Sequence, residues 1–179
     1  MQLLLLLYLN NVNMYWSIEY NRIKSFYIDC ILIQFSSTAL YILIGVLLNE
    51  NRHTEPAFFI AMWLCKDCFN GSSYGKYKYH YQVIDIKTGV AASPLKCWMR
   101  NFIFIFFHLI DLVVMFSNPQ NIRWGEQITK TKVVNYTNDK KTHSIKRNVE
   151  SIIIVILTFF LMYVIVVPFT EWLLLLDGK

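Results

Sequence analysis

Residues 151–170 read SIIIVILTFFLMYVIVVPFT, and residues 30–49 read CILIQFSSTALYILIGVLLN. Each is a run of 20 residues without a charged side chain. A helix needs about 20 mainly apolar residues to cross the ~30 Å hydrocarbon core of a bilayer. Both runs therefore predict membrane-spanning helices, and they decide the class of the fold.

The composition of the rest of the chain agrees with a membrane protein. Hydrophobic residues make up 55% of the sequence and charged residues 16%, where soluble domains carry about 25% charged residues. The longest polar stretches, 70–97 and 117–150, are too short to form a soluble domain with its own core. The sequence predicts an integral membrane protein and excludes a soluble enzyme.

The net charge of +5 comes from 17 Lys and Arg against 12 Asp and Glu. In a membrane protein such an excess sets the orientation and attracts anionic lipid. We therefore expect the lipid bilayer as a partner and no nucleic acid.

We predict three transmembrane helices, at about 23–48, from about Pro56 onward, and at about 151–167, where Pro168 ends or kinks the last. Residues 95–117 form a fourth hydrophobic segment.

Basic residues flank this fourth segment on both sides, with five Lys and Arg in 71–100 and seven in 117–150. The positive-inside rule places both stretches in the cytoplasm. Both can lie there only if residues 95–117 re-enter the membrane or lie along its interface. A plain four-span protein is the alternative.

A period-two pattern begins at Lys76 and predicts a strand up to Val83. A second strand is expected at 131–136, so the fold is all-α with a short, basic, β-hairpin-like stretch on the cytoplasmic side. The alternation also predicts a basic aromatic surface for lipid or a partner, formed by Lys76, Tyr77, Lys78, Tyr79 and Tyr81.

In the first span, Arg22, Asp29 and Ser36 fall seven residues apart, which places them on one helical face. A carboxylate inside a membrane is by default a candidate functional group. Asp29 is interpreted either as a proton or cation site or as a buried charge that holds the helices together.

In the fourth hydrophobic segment, Asn101, His108 and Asp111 share one helical face. A His with an Asp one turn away suits a proton relay. The same spacing is typical of a helix that lies at the membrane interface, and both interpretations stay open.

The chain lacks the motifs of common enzymes. Residues 71–76, GSSYGK, are too short between the glycines for a phosphate-binding loop. Cys65 and Cys68 have CxxC spacing, but no second CxxC or His pair completes a zinc site. We predict no catalytic residues, no metal, no cofactor and no enzymatic activity.

Four stretches together resemble the RDD family of small membrane proteins: NRIKSFYIDCILI (21–33), LCKDCFNGSSYGK (64–76), YQVIDIKTGVAASPLKCWMRN (81–101) and IRWGEQITKTKVV (122–134). The closing motif contributes Arg123, Gly125 and Glu126. Glu126 stands where the family usually has Asp, Lys130 where a small residue is usual, and His80 where Gly is common.

The resemblance implies three regions. Residues 1–21 are an N-terminal amphipathic or interfacial segment, 22–136 an RDD-like membrane domain, and 137–179 a basic linker with the last transmembrane helix. It also implies a bacterial inner membrane with the basic loops in the cytoplasm.

For function, the resemblance implies an Arg22–Asp29–Asp67 cluster, with two open interpretations. The cluster exchanges a cation for a proton, which requires a homo-oligomer or a larger complex around so small a chain. Alternatively it is a permanent structural element of an accessory or scaffold subunit. A transport site needs a carboxylate that titrates, whereas a scaffold needs one that is permanently satisfied.

Overall fold

The computed structural model describes residues 2–48, 54–117, 122–135 and 145–177. This part of the chain is mostly helical, with two short strands. In chain order the elements are α1 (Gln2–Leu48), α2 (Glu55–Cys65), α3 (Tyr74–Lys78), β1 (Tyr81–Asp85), α4 (Pro94–Ser117), α5 (Trp124–Thr129), β2 (Thr131–Asn135) and α6 (Ile145–Asp177).

The two longest helices carry the two uncharged runs. Tyr20–Val46 in α1 and Arg147–Leu176 in α6 are long and apolar enough to cross a membrane. In each segment only 17% of an apolar 18-residue stretch is buried inside the protein, so most of its side chains face outward, as contact with lipid requires. Within the described residues, the chain therefore has two candidate membrane spans.

The second predicted transmembrane helix, from Pro56 onward, is too short to be one of them. α2 has 11 residues, or about 16 Å, which is half the hydrocarbon thickness. Pro56 stands in its first turn as expected. Instead of crossing alone, α2 packs on α6 in an apolar core formed by Ala57, Ala61, Leu64, Cys65, Cys68, Met162 and Val167.

The fourth hydrophobic segment forms α4, which is interrupted once. Phe107 has non-helical dihedral angles, φ −127° and ψ 29°, and its ring packs edge-on against Trp124 at 5.7 Å. Before this break, Leu95 and Met99 are exposed while Cys97 is buried. α4 is not among the candidate spans of the described residues, and its re-entrant or interfacial position stays a prediction.

The two strands form an antiparallel pair in which Val83 lies opposite Val133. They are separated in sequence by α4 and α5, so the sheet brings distant parts of the chain together. The second strand was predicted and is confirmed as Thr131–Asn135; Tyr136 lies outside the described residues.

The predicted strand over residues 76–80 is wrong. Tyr74–Lys78 is a short helix, and His80 then takes a left-handed conformation with φ 59° before β1 begins at Tyr81. The period-two alternation of Lys and Tyr is overridden because α3 is anchored to other parts of the chain, as described below.

Two helices extend beyond the predicted spans. α1 begins at Gln2, so the predicted N-terminal segment 1–21 continues into the first span as one helix. α6 runs through Pro168 to Asp177, so this proline does not end the helix. A proline removes one backbone hydrogen bond, and neighbouring groups in transmembrane helices commonly compensate for it.

Candidate functional site: a buried charge cluster

Six ionisable side chains form a buried charge cluster where α1, α3, α4, α5 and the end of α2 meet. It contains three carboxylates and three cations, so its formal charge is balanced: Asp29, Asp67, Glu126, Lys66, Lys76 and Arg100. Buried charges are tolerated only when they are paired and hydrogen-bonded. The partners of each carboxylate therefore determine what the cluster can do.

Asp67 is the centre of one half of the cluster and is fully buried. The Lys76 ammonium bonds to its Oδ1 and the Arg100 guanidinium to its Oδ2. These contacts join the end of α2 to α3 and α4. Both oxygens of this carboxylate thus have a charged donor.

Charge and burial act in opposite directions on these groups. Burial raises the pKa of the Asp67 carboxyl, but Lys76, Arg100 and Lys66 outweigh it and hold that pKa below its usual range. For Lys76, burial dominates over the attraction of Asp67 and lowers the pKa to about 7. Asp67 is therefore ionised at any physiological pH, whereas Lys76 titrates near neutrality.

Arg100 extends this half to the closing motif. Its Nη1 lies 3.7 Å from the carboxylate of Glu126 in α5. Gly125 allows the approach, because a Cβ there would lie 3.0 Å from the Arg100 carbonyl oxygen. Next to Arg100, Asn101 donates to the backbone carbonyl of Leu64 at 3.1 Å and joins α4 to α2.

Asp29 is the centre of the other half, in the middle of α1. It accepts a hydrogen bond from the Ser73 hydroxyl at 2.6 Å and one from the Gly75 backbone N–H at 2.8 Å. Gly75 has no room for a side chain, since a Cβ would lie 2.1 Å from the carbonyl oxygen of Ser25. The carboxylate thus holds the beginning of α3 against α1.

The contacts of residues 71–76 account for the glycines, Ser73 and Lys76 in this segment. Gly71 has φ +66°, and a Cβ there would lie 2.4 Å from the Val83 carbonyl oxygen. Its own carbonyl accepts from the Val83 N–H at 2.7 Å. The glycines, Ser73 and Lys76 of this segment therefore connect β1, α1 and Asp67.

Lys66 connects the two halves, since it lies next to Asp67 in the chain and faces Asp29. Its ammonium is 3.9 Å from the nearer Asp29 oxygen, and it sits over the rings of Trp63 and Phe26 at 4.2 and 5.4 Å. Burial lowers the pKa of Lys66 against the opposing charges of Asp67 and Asp29.

A cavity of about 120 Å³ opens beside Asp29. Ser36, Lys66 and Ser73 also line it. Two members of the predicted stripe on α1, Asp29 and Ser36, therefore reach one site, although Ser36 itself is exposed.

The remaining residues predicted for the site are Arg22, Arg123, His108 and Asp111. Arg22 is half-buried two turns before Asp29, and Arg123 is exposed with its guanidinium 5.4 Å from the Phe104 ring centre. The side chains of His108 and Asp111 lie outside the described residues.

The predicted lipid or partner surface is corrected in two places. Lys76 is turned inward to Asp67, and Tyr81 is 3% exposed. Tyr77 and Lys78 are exposed and Tyr79 is half-buried. A helix in place of the expected strand removes the alternation that would have placed the three tyrosines on one face and the two lysines on the other.

Three partners were not singled out from the sequence: Lys66, Arg100 and Ser73. A buried carboxylate needs cations or hydrogen-bond donors, and all three residues stand in the quoted motifs, Lys66 and Ser73 in the same one as Asp67. That requirement was the signal that would have found them.

The cysteines lie outside the cluster. Cys65, Cys68 and Cys97 are buried free thiols, and the Cys68 thiol donates to the Pro94 carbonyl at 3.5 Å. Among the described residues no group of three His, Cys, Asp or Glu side chains is arranged to hold a metal ion.

No protein-family model, curated protein or solved structure matches the chain.

Proposed function

We propose that the chain is an integral membrane protein of the RDD kind and serves as a non-catalytic accessory or scaffold subunit of a larger membrane assembly. Its buried charge cluster is a permanent structural joint between the helices. The observation that carries this proposal is Asp67, a fully buried carboxylate whose two oxygens are bonded to Lys76 and Arg100.

The convergence of the motif residues supports the RDD kind. Asp29, Asp67, Arg100 and Glu126 come from four separate quoted stretches and take part in one cluster. The glycines of residues 71–76 and Gly125 provide the close approaches that the cluster needs. Residues with one shared structural purpose are what a family pattern would preserve.

The outward faces of α1 and α6 support the membrane setting. On the outward face of α6, the exposed apolar side chains between Ile152 and Leu176 are 42–70% accessible, and α1 exposes Phe35 and Val46 by 74% and 77%. A soluble protein rarely exposes apolar patches of this extent. The bacterial inner membrane and cytoplasmic basic loops belong to the same proposal.

The permanent charge of Asp67 favours the scaffold role over cation–proton exchange. A carboxylate that acts as an exchange site must itself release and take up a proton or cation in each cycle, whereas the surrounding basic side chains keep Asp67 ionised. Removing one partner of such a buried group leaves uncompensated charges, which is strongly destabilising. The cluster therefore suits a joint that stays closed.

Cation–proton exchange at Asp29 is the second candidate. It is favoured by the cavity of about 120 Å³, which opens directly beside this carboxylate. Alternating access by so few helices would require a homo-oligomer or a partner subunit.

The two candidates are separated by proton flux in proteoliposomes that contain a pH-sensitive dye and are challenged with Na⁺, K⁺ or Li⁺. The scaffold predicts no cation-dependent flux from folded protein, and loss of the native assembly in Asp67→Asn but not in Asp85→Asn. Native gels of mild-detergent extracts report the assembly. Flux that a folded Asp29→Asn variant loses would replace the scaffold with the exchanger.

A further inference from the structure

The cavity beside Asp29 has a polar end and an apolar end. Lys66 and Ser73 stand beside the carboxylate, while Leu32 and Met62 form part of its wall. Leu32 is 40% exposed on the candidate span, so the apolar end lies at the lipid-facing side of α1. A lining of this kind fits an amphiphilic molecule that enters from the bilayer.

At the polar end the group that can bind a ligand is the Lys66 ammonium. Asp29 already accepts from Ser73 and Gly75 at 2.6 and 2.8 Å. Lys66 is 11% exposed, and its nearest carboxylate oxygen is 3.9 Å away, beyond the range of a hydrogen bond. The ammonium also sits over the faces of Trp63 and Phe26. An ammonium with three donors is therefore turned toward a cavity.

The depth of this ammonium in the bilayer suits a lipid head group. Asp29 lies five residues after the exposed Lys24, or about 7 Å along the helix axis. The candidate span of 27 residues is about 40 Å long and exceeds the ~30 Å hydrocarbon core. With Lys24 in the head-group layer, Asp29 and Lys66 lie near the boundary where lipid phosphates and glycerol groups are found.

We propose that this cavity binds the phosphate of a membrane phospholipid, with Lys66 as its donor and the wall at Leu32 and Met62 against the beginning of the acyl chains. The inference rests on the proposed membrane setting and not on the scaffold role. A bound anion would replace the hydration that this ammonium, 11% exposed, has lost on burial.

The test is a titration by native mass spectrometry of the full chain in a non-ionic detergent. The probes are dioleoyl phosphatidylglycerol, dioleoylglycerol with the same acyl chains but no phosphate, and inorganic phosphate. We expect one phosphatidylglycerol site that binds at least about tenfold more tightly than either other probe, as a charge-assisted hydrogen bond implies. Equal binding of dioleoylglycerol would overturn the proposal, and equal binding of inorganic phosphate would replace the lipid with the free anion.

Two variants test the two ends of the cavity separately. Lys66→Met should weaken phosphatidylglycerol binding roughly tenfold or more, while Lys96→Met, which removes a lysine paired with Asp85, should leave it unchanged. Ser36→Phe fills the cavity without removing a charge and should also abolish lipid binding, with Val46→Phe on the same helix as its control. Unchanged binding in both folded cavity variants would refute the site.

A separate experiment tests whether the chain is a membrane protein at all. Alkaline carbonate extraction of the membranes reports whether the chain is integral to the bilayer. Release of the chain by carbonate would remove the setting itself, whereas a carbonate-resistant chain without phosphatidylglycerol selectivity would contradict the cavity site alone.

Discussion

Around Asp67 the charge cluster is closed, whereas around Asp29 it is open to a cavity. Asp67 is fully buried and is bonded to two cations on different helices. Asp29 is 4% exposed, but its close donors are a hydroxyl and a backbone N–H, and its cation remains 3.9 Å away. The two halves use the same residue types with different geometry.

The difference shows how one cluster can combine two roles. A carboxylate bonded to a basic side chain at each oxygen gains its stability from a fixed arrangement and keeps its own charge. A carboxylate next to a cavity leaves its cation available to a ligand. Stability should therefore depend mainly on the closed half, and binding on the open half.

The largest expected effect is on the closed half. Asp67→Asn keeps the shape of the side chain but leaves Lys76 and Arg100 buried without their shared counter-charge. The loss should be about 3–5 kcal/mol of the free energy of unfolding, measured by thermal unfolding in detergent. Asp85→Asn is the matched control, because Asp85 pairs with Lys96 in a partly exposed ion pair and its loss should cost clearly less.

The comparison of the two halves also predicts which substitution costs more stability. Asp29→Asn should cost less than Asp67→Asn, since the amide oxygen can still accept one of the two neutral hydrogen bonds and Lys66 faces the cavity. An equal or larger loss in Asp29→Asn would mean that the open half is as structural as the closed one.

Gly75→Ala should have the next largest effect, because α3 would have to move away from α1. The new Cβ would lie 2.1 Å from the Ser25 carbonyl oxygen and 2.8 Å from Asp29 Oδ1. Overpacking of this kind typically costs about 1–3 kcal/mol. A Gly75→Ala variant as stable as the natural protein would show that α3 tolerates displacement.

Much of the fold was predictable because lipid imposes a simple rule on sequence. Two uncharged runs of 20 residues gave the two candidate spans. The length of α2 was overestimated. The sequence alone does not show that this helix ends at Cys65. Its burial against α6 depends on packing between distant residues, which no local period reveals.

The site was predictable only in part for a related reason. Seven-residue spacing identified Asp29 as a polar position on α1, and the resemblance added Asp67. Lys76 was misplaced because alternation with Tyr77 suggested a strand, whereas the contacts of Ser73 and Gly75 with Asp29 select a helix. Tertiary contacts of this kind override a local pattern.

A smaller effect concerns pH. The pKa of Lys76 in the folded protein is about 7, below its ordinary value of 10.5, because burial outweighs Asp67. Between these values the unfolded chain binds more protons, so stability should rise with pH by on the order of 1 kcal/mol per unit.

This rise should be measured between about pH 7 and pH 9. Burial raises the pKa of Cys97 to about 12 from 9.0. Above pH 9 this thiol therefore ionises in the unfolded chain but not in the folded one, which lowers stability. Unfolding midpoints across the window should rise in the natural protein and flatten in Lys76→Met. A midpoint that falls as the pH rises from 7 would contradict a neutralised, buried Lys76.

The smallest effect lies outside both halves, at His80. With φ 59° this residue occupies the left-handed region that costs a non-glycine residue about 1–2 kcal/mol. His80→Gly should relieve that strain and, after about 0.5–1 kcal/mol of added backbone entropy in the unfolded chain, stabilise the protein by about 0.5–1 kcal/mol. Lys78→Gly, an exposed helical position two residues earlier, should instead destabilise it by about 1 kcal/mol. Opposite shifts of the two unfolding midpoints would attribute the effect to backbone conformation. If both variants lose stability, the contacts of the His80 side chain outweigh its backbone strain.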